Sequence, residues 1–373
     1  MRINILQGAF LPVPARLGGA IERSWDRLGR EFARRGHEVT HVSKLDSSSK
    51  REEKIEEVRH LRVKGARAVR NPWILKMLEL PYVIRAGRIL PEADVTITHA
   101  FWAPFLLSKK KVGKLYVHIG RYPKGQMKFY HAASRLQVPS QAIGRAVSEE
   151  LKDTDQRIRV QPYPLSWQIP EVKPLESRSP SALYLGRIHP EKGVLELVKA
   201  WAKLATEERG IWKLRIRGPW REEQGGGGQA YLRLIEKEMA GIGKSVSILD
   251  PTYNQEELIK ELGNARIFIY PSIAERGETF GLAILEAMSC GCVPIVSKLD
   301  CFRDFLENGK QGFTFDHTNE NAVSALAKIL SCVFSKQYDL SELSESARRK
   351  AELFELERVA SGYLEDFEEL LNS

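Results

Sequence analysis

The chain has 373 residues, of which 43% are hydrophobic, enough for two ordinary domains with sizeable cores. Its net charge of +9 is uneven, because residues 1–170 hold 31 Lys and Arg against 16 Asp and Glu, whereas residues 171–373 hold 26 against 32. No stretch approaches the roughly 20 apolar residues of a membrane span, and a strand pattern begins almost at Met1, so we expect a cytoplasmic protein.

The first elements predict a βαβ unit. Residues 2–7 form an apolar strand pattern, a glycine-rich loop leads through Gly18 and Gly19 into a helix over residues 20–35, and a second strand begins at residue 37. The G-x-G-x-x-G fingerprint of dinucleotide-binding proteins is absent. Adjacent glycines at a helix start still permit a phosphate or a sugar to approach the backbone closely.

Two polar segments are interpreted as connections. Residues 46–58 are rich in charge and predict a loop or a short surface element. The run Lys109-Lys110-Lys111 predicts a turn between two elements.

Residues 71–90 predict a helix with a mixed surface. Pro72 suits the first helical position, and Pro81 is expected to kink or divide the helix. Apolar residues from Trp73 onward, with Lys76 and neighbouring arginines, also fit a helix that lies on a membrane surface. We favour packing against the sheet, because strand patterns follow directly and keep the βα alternation intact.

A histidine marks one of these later strand ends. His118 closes the strand pattern 114–119, and ligands gather at the carboxyl ends of strands in open α/β sheets, so His118 is a candidate site residue. His99 ends the preceding strand and competes for the role, and either histidine could equally be structural. Three cations flank His118 and could recruit an anionic acceptor: Arg121, Lys124 and Lys128.

A proline-rich connection over residues 161–180 predicts a domain boundary. We expect one domain over residues 1–165 and a second over residues 166–350. The terminal helix, residues 351–373, has an apolar face to bury.

The second domain opens with a strand, residues 182–187, followed by G-R-I-H-P-E-K-G. This spacing brings Arg187 and Lys192 to the mouth of one loop, where a guanidinium fork and an ammonium could both meet a diphosphate. The four glycines within residues 224–229 lack the Lys-Ser/Thr of a P-loop, so they predict a mobile surface loop.

Residues 267–296 carry the most informative pattern: a buried strand, a polar loop, a helix beginning at Gly281 and a second buried strand. The N–H groups at the start of this helix favour an anion. Two acids stand beside it, Glu278 and Glu286, and carboxylates accept hydrogen bonds from vicinal hydroxyls. A sugar or ribose joined to a phosphate would satisfy both. Acids that merely favour a helix N-terminus are the simpler alternative.

The spacing E-x-F-G followed by E-A-M, with seven residues between Glu278 and Glu286, resembles the EX7E motif of retaining nucleotide-sugar glycosyltransferases of family 4. The segment G-R-x-x-P-E-K-G resembles the same family. This resemblance implies the α/β GT-B fold, with two Rossmann-like domains facing each other across a cleft and the terminal helix packed back onto the first domain.

The resemblance also implies roles for residues. Glu278 would contact the hydroxyls of the donor sugar, Glu286 would hold the ribose, and His118 would line the pocket between donor sugar and acceptor. The remaining donor-binding positions would be Gly18, Gly19, Arg187, Lys192, Thr279, Phe280, Gly281 and Leu282. Where relatives have an Asn-Gly-Val-Asp turn at the hinge, this chain has Tyr163-Pro164-Leu165-Ser166.

The predicted function is therefore retaining transfer of a sugar from a nucleotide-diphosphate sugar, with UDP favoured, to a lipid-linked or other glycan acceptor. No cofactor and no metal are expected. A sugar-nucleotide epimerase and a non-catalytic sugar-nucleotide-binding protein are the alternatives. The basic first half predicts an anionic partner, either the acceptor or a membrane surface, or else a merely solvated face. Nucleic acid is disfavoured because no basic motif with interleaved aromatic residues is present.

Overall fold

The computed structural model describes residues 1–15, 19–69, 71–152 and 156–373. It divides into two compact units, one formed by Met1–Ser166 with Phe354–Ser373 and the other by Trp167–Leu353. Each unit is an α/β layer structure around its own sheet. The prediction of two Rossmann-like domains is confirmed.

In its described part, the first unit has an eight-stranded sheet of order β3-β4-β2-β1-β5-β6-β7-β8, with β3 antiparallel to β4 and the other pairs parallel. The central strands are buried on both faces, as expected where helices cover a parallel sheet. The strands are β1 (Arg2–Leu6), β2 (Glu38–Lys44), β3 (Glu52–Ile55), β4 (Val58–Val63), β5 (Val95–Thr98), β6 (Lys114–His118), β7 (Arg135–Val138) and β8 (Ile158–Val160).

The helices of the first unit's amino-terminal part are α1 (Ala20–Arg34), α2 (Pro72–Ile89), α3 (Ala103–Leu106), α4 (Lys109–Val112) and α5 (Gln141–Leu151). Residues 46–58 include the short, partly exposed strand β3, which agrees with the predicted loop or short surface element. One prediction needs correction here, because the three-lysine run forms a helical turn, α4, and not a non-helical turn between elements. Helix α2 continues through Pro81 and is not divided there.

The second unit, Trp167–Leu353, is described throughout and has a six-stranded parallel sheet of order β11-β10-β9-β12-β13-β14. Numbered within the unit, this order is 3-2-1-4-5-6, the arrangement of the Rossmann fold. Its strands are β9 (Ser181–Leu185), β10 (Lys213–Arg217), β11 (Val246–Leu249), β12 (Ile267–Tyr270), β13 (Val293–Ser297) and β14 (Phe313–Phe315).

The helices of the second unit are α6 (Val194–Lys203), α7 (Thr206–Arg209), α8 (Gly228–Met239), α9 (Gln255–Asn264), α10 (Leu282–Ser289), α11 (Ala322–Phe334) and α12 (Leu340–Ala351). Helix α10 matches the helix predicted to begin after the acidic loop. Its buried side, which includes Ile284, Leu285 and Met288, packs beside β12 and β13.

The terminal helix α13 (Leu356–Asn372) belongs to the first unit. Its buried aromatic residues Tyr363 and Phe367 pack with Trp25 and Phe32 of α1 in one apolar cluster. Asp366, almost fully buried, accepts hydrogen bonds from the Tyr116 hydroxyl at 2.8 Å, from Arg135 Nε at 2.8 Å and from Arg159 Nε at 3.0 Å. The helix is thus tied to the first sheet by both apolar burial and charge.

Candidate functional site

The strand order of the second sheet fixes where a ligand would lie. The chain runs from β9 out to β10 and β11, then returns to the other side of β9 as β12, so the direction of winding reverses between β9 and β12. In open α/β sheets, ligands bind at the carboxyl ends of the strands beside such a reversal. The loops that leave these two strands, residues 186–193 and 271–281, therefore flank the expected ligand position.

These two loops are joined to each other. The backbone carbonyl of Glu191 accepts hydrogen bonds from the Ile273 N–H at 2.9 Å and from the Ser272 hydroxyl at 3.2 Å. Gly193 has φ +67°, and a Cβ at that position would lie 2.0 Å from the Pro271 carbonyl oxygen. The close approach of the loops thus requires glycine at residue 193.

An ion pair links the predicted cation and acid. Lys192 Nζ contacts Glu278 Oε1, and the two side chains are only 8% and 10% exposed. The Tyr270 hydroxyl donates a second hydrogen bond, 2.9 Å long, to the same carboxylate oxygen. Burial and then the neighbouring Glu278 raise the pKa of Tyr270 well above its ordinary value, so this hydroxyl keeps its proton.

Arg187 lies at the more open side of the same loop, with a side chain that is 42% exposed. Its guanidinium donates to the Gly225 carbonyl at 2.8 Å and to Glu191 Oε1 at 2.5 Å. Partial burial raises the pKa of Glu191, but the charge and hydrogen bond of Arg187, together with the charge of Lys192, outweigh it, and the pKa of Glu191 lies below its ordinary value. A half-exposed ion pair of this kind is weak, so an incoming anion can replace Glu191.

The glycine run contributes to this site, which the sequence did not predict. Instead of a free surface loop, residues 225–228 form a series of tight turns whose N–H groups donate to carbonyls of Glu222, Arg221, Ile188 and Trp220 at 2.8–3.0 Å. The Gly225 carbonyl in turn receives Arg187. The contact of this run with Arg187 depends on tertiary structure, so no local pattern could predict it.

Two stacked tyrosines hold the two site loops in place through their hydroxyl groups. Tyr184 on β9 and Tyr270 on β12 lie with ring centroids 5.9 Å apart and planes 12° apart. The Tyr184 hydroxyl donates to the Arg187 carbonyl at 2.8 Å, while Tyr270 holds Glu278. Each ring therefore fixes one of the two loops. The signal in the sequence was only a tyrosine near the end of each strand, which did not single them out.

The start of α10 completes the second-unit site. Gly281 caps the helix with φ +97°, and a Cβ there would lie 2.7 Å from the Phe302 ring. Phe280 is buried, whereas Thr279 and Leu282 are partly exposed. The first N–H groups of α10 have no carbonyl partner within the helix and carry its positive dipole end. Glu286 is partly buried one turn further on.

His118 lies at the end of β6 in the first unit and is 3% exposed. Its Nε2 is 2.8 Å from the Tyr163 hydroxyl, and its Nδ1 contacts Gln137 Oε1. Because Gln137 Nε2 donates to the Gln161 carbonyl at 2.7 Å, its oxygen faces the imidazole, which assigns the proton to Nδ1. Burial lowers the pKa of His118 to about 4. The histidine is therefore neutral and fully hydrogen-bonded.

The competing histidine has a backbone partner. His99 Nε2 accepts the Gly8 N–H at 2.9 Å, beside the reversal of winding between β1 and β5. At the predicted glycine pair, Gly19 has φ +100° and precedes α1, and a Cβ there would lie 2.3 Å from Glu22 Oε2. Gly18 lies outside the described residues. Among the predicted positions of the first unit, Gly19 and His118 are thus the ones whose geometry is known.

The described residues can also be searched for metal-binding clusters, membrane-spanning helices and disulfides. No three His, Cys, Asp or Glu side chains of the described ranges come together as a metal-binding group. In the same ranges, no helix is both long enough and apolar enough to cross a membrane. The four cysteines are free, and burial raises the thiol pKa of Cys290 to about 12.

Comparisons with known proteins find a family model that matches the second unit. Residues 166–350, just under half of the chain, match the family model described as Glycosyl transferases group 1. The chain is also 29% identical to the D-inositol 3-phosphate glycosyltransferase of Rhodococcus jostii over 197 residues. The matching region covers 52% of this chain and 41% of that protein. Across the first curated relatives that it matches, the chain spans about two fifths of their length, 38–42%.

Solved structures resemble the whole chain in fold. The sucrose-phosphate synthase of Thermosynechococcus elongatus has a TM-score of 0.76 at 18% identity, with all of both chains covered. The complex of Anabaena Alr3699/HepE with UDP-glucose has a TM-score of 0.73 at 16% identity, covering 99% of this chain and 100% of that one.

The fold and the site together define a Rossmann-type domain with cations, an acid and a helix N-terminus at its reversal of winding. Residues 166–350 match the Glycosyl transferases group 1 family model, and the two Rossmann-like domains have the fold class of GT-B glycosyltransferases. The EX7E assignment and a retaining mechanism stay predictions.

Proposed function

We propose that this protein transfers a sugar from a nucleotide-diphosphate sugar to a glycan acceptor with retention of anomeric configuration. The observation that carries the proposal is the ion pair of Lys192 and Glu278 at the reversal of winding, beside the exposed guanidinium of Arg187. These are one carboxylate and two cations in a domain that matches the group 1 family model. A sugar diphosphate has hydroxyls that can donate to the carboxylate and phosphates that the cations can bind.

In this proposal the diphosphate is neutralised by Arg187, Lys192 and the N-terminus of α10. Lys192 has three ammonium hydrogens, of which Glu278 engages one, so the others remain available to phosphate oxygens. Arg187 exchanges Glu191 for a phosphate. These groups stabilise the negative charge that develops on the leaving diphosphate, so we propose that transfer needs no divalent metal ion.

The acids act as hydroxyl acceptors. Glu278, held by Lys192 and Tyr270, binds the donor sugar, and Glu286 on α10 binds the ribose. The backbone from Thr279 to Leu282 contacts the diphosphate. His118, neutral and hydrogen-bonded on both nitrogens, positions groups in the first unit and does not act as a base. We propose that this unit holds the acceptor.

The proposed reaction is balanced without a protein nucleophile. The acceptor hydroxyl oxygen bonds to the anomeric carbon on the face from which the diphosphate leaves, and the bond from that carbon to the phosphate oxygen breaks. The hydroxyl proton passes to the departing phosphate oxygen. UDP is the proposed nucleotide, since one neighbour of the same fold is solved with UDP-glucose.

The test is incubation with a panel of UDP-, GDP- and ADP-sugars, without added acceptor and with EDTA present. We expect slow release of UDP, with water as the acceptor and a free sugar that first appears in the anomeric configuration of the donor. Nuclear magnetic resonance of the anomeric proton reads this directly. Formation of an epimerised sugar would assign an epimerase instead, binding without turnover would assign a sugar-nucleotide-binding protein, and activity lost only with EDTA would refute metal independence.

A further inference from the structure

One surface of the first unit combines exposed aromatic and aliphatic side chains with lysines. Helix α2 buries Tyr82, Val83 and Ala86 against the first sheet, which agrees with the predicted packing. The opposite side of α2 is nevertheless apolar, because Trp73 is 74% exposed and Met77 is 63% exposed. A solvent-facing helix side normally carries charge, so this one lacks a partner in the described residues.

The exposed apolar residues form one continuous surface. Lys76 Nζ lies 5.3 Å from the centroid of the Trp73 ring and 4.1 Å from that of Phe101. Phe101 contacts Phe105 of α3, whose ring centroid lies 5.6 Å from that of Tyr130. We call this the aromatic–basic surface; its exposed apolar members are Trp73, Ile74, Met77, Phe105, Leu106 and Phe129.

The charges around this surface are mostly positive. Residues 95–148 contain nine Lys and Arg and no Asp or Glu. The single acid of α2, Glu79, is buried and accepts the Phe101 N–H at 2.8 Å, so it does not face solvent. The next acid in contact with this region, Glu150, accepts the N–H groups of Gly125 and Met127 at 2.9 and 2.6 Å. Exposed lysines stand at the edge of the apolar residues, on α4 (Lys109 and Lys110) and beside Phe129 (Lys128).

We infer that the aromatic–basic surface docks onto an anionic phospholipid bilayer. Trp, Phe and Met side chains insert at the level of the lipid headgroups, while lysines reach anionic headgroups from long apolar stems. A second copy of this chain fits less well, because self-association would place lysines against lysines. The inference does not rest on the proposed sugar transfer, and its test uses no sugar nucleotide.

The test is sedimentation of the full chain with vesicles of phosphatidylcholine alone and of phosphatidylcholine mixed with phosphatidylglycerol. We expect binding to the anionic vesicles only, weakened when salt rises from about 50 to about 500 mM, because the Debye length falls severalfold. The double variant Trp73→Ser/Met77→Ser should lower the partition coefficient at least about tenfold. Lys109→Gln/Lys110→Gln should lower it by about fivefold per lysine.

The matched control is Ile211→Ser/Leu234→Ser, which removes two exposed apolar side chains, 74% and 52% exposed, from the second unit. This variant should bind vesicles as the wild type does. Equal binding by the Trp73→Ser/Met77→Ser variant, equal binding to neutral vesicles, or no vesicle binding at all would overturn the inference. So would a dimer on size-exclusion chromatography that the Trp73→Ser/Met77→Ser variant dissociates, since the surface would then serve a second copy.

Discussion

Lys192 and Glu278, 86 residues apart in the sequence, form a buried ion pair at the carboxyl ends of two neighbouring strands. One residue comes from the loop after β9 and the other from the loop after β12. Because both side chains are at most 10% exposed, neither charge is well solvated without the other. The pair therefore stabilises the second unit and also presets the carboxylate that we propose as a sugar ligand.

Variants at this ion pair distinguish its contribution to stability from its contribution to function. Lys192→Met leaves the carboxylate of Glu278 buried without its counter-ion, so we expect the free energy of unfolding to fall by about 3–5 kcal/mol in urea titrations. The double variant Lys192→Met/Glu278→Met should recover most of that loss, yet release no UDP from the donor. The control Lys310→Met breaks an exposed pair with Glu307 and should change stability by less than about 1 kcal/mol. A single variant as stable as this control would contradict the account.

Tyr270→Phe tests how Glu278 is positioned. The change removes only the hydroxyl that donates to the carboxylate, and it leaves the stack on Tyr184 in place. A hydrogen bond to a charged group contributes about 1.5–3 kcal/mol, so kcat/KM for the donor should fall about tenfold or more. Tyr338→Phe, at an exposed tyrosine of the same unit, is the control and should leave steady-state kinetics unchanged. Equal kinetics for the two variants would remove Tyr270 from the site.

Gly193→Ala tests the contact between the two loops. The new Cβ would lie 2.0 Å from the Pro271 carbonyl, in a left-handed backbone conformation, so the loops must separate. We expect a loss of at least about 2 kcal/mol in unfolding free energy and a weaker donor affinity by calorimetry. Gly241→Ala meets nothing within 4 Å and should be neutral or slightly stabilising. An unchanged donor affinity in Gly193→Ala would show that the contact does not shape the site.

Burial of His60 should make the folded protein less stable in acid. It is fully buried, stacks on His41 at 5.5 Å, and both its ring nitrogens lack a hydrogen-bond partner among the described residues. Burial lowers its pKa from 6.5 to about 4, with the nearby Arg62 acting in the same direction. The unfolded chain therefore takes up a proton below pH 6.5 that the folded chain refuses until about pH 4, so stability present above pH 6.5 is lost as pH falls through that window.

The measurement is unfolding free energy at pH 7 and pH 5. His60 should contribute about 2 kcal/mol to the difference, and His60→Leu should reduce the difference by that amount. His131→Gln, at an exposed histidine, is the control and should keep the wild-type difference. If His60→Leu and the control have the same pH dependence, the buried histidine is not the cause.

Much of the fold follows from local patterns. Apolar strand patterns predicted most strands of both sheets, and Gly186 after a strand and Gly281 at a helix start predicted the position of the site loops. The charged strand β3 could be predicted only as a loop or a short surface element, because none of its residues is buried and its pairing with β4 decides its structure. Three consecutive lysines likewise gave no local sign of the helical turn α4.

The charged residues of the site could be predicted from the sequence, but the tyrosines that hold them in place could not. Arg187, Lys192 and Glu278 stand in recognisable motifs, and the structure brings Lys192 and Glu278 into contact. The hydroxyls of Tyr184 and Tyr270 find their partners only because β9 and β12 are neighbours in the sheet, which no local pattern specifies. The link from Tyr163 to His118 arises in the same way, across 45 residues, where this chain departs from the hinge sequence of the family it resembles.

Donor turnover by Arg187→Ala and Glu286→Ala tests the central claim most directly. With a UDP-sugar as donor, kcat/KM should fall by at least about a hundredfold in each variant, because a charge or hydroxyl contact formed at the transition state is lost. Arg349→Ala and Glu345→Ala, at an exposed ion pair of the same unit, should keep the parental value. If Arg187→Ala and Glu286→Ala both transfer sugar at the parental rate and with parental affinity, the site is not the one described above.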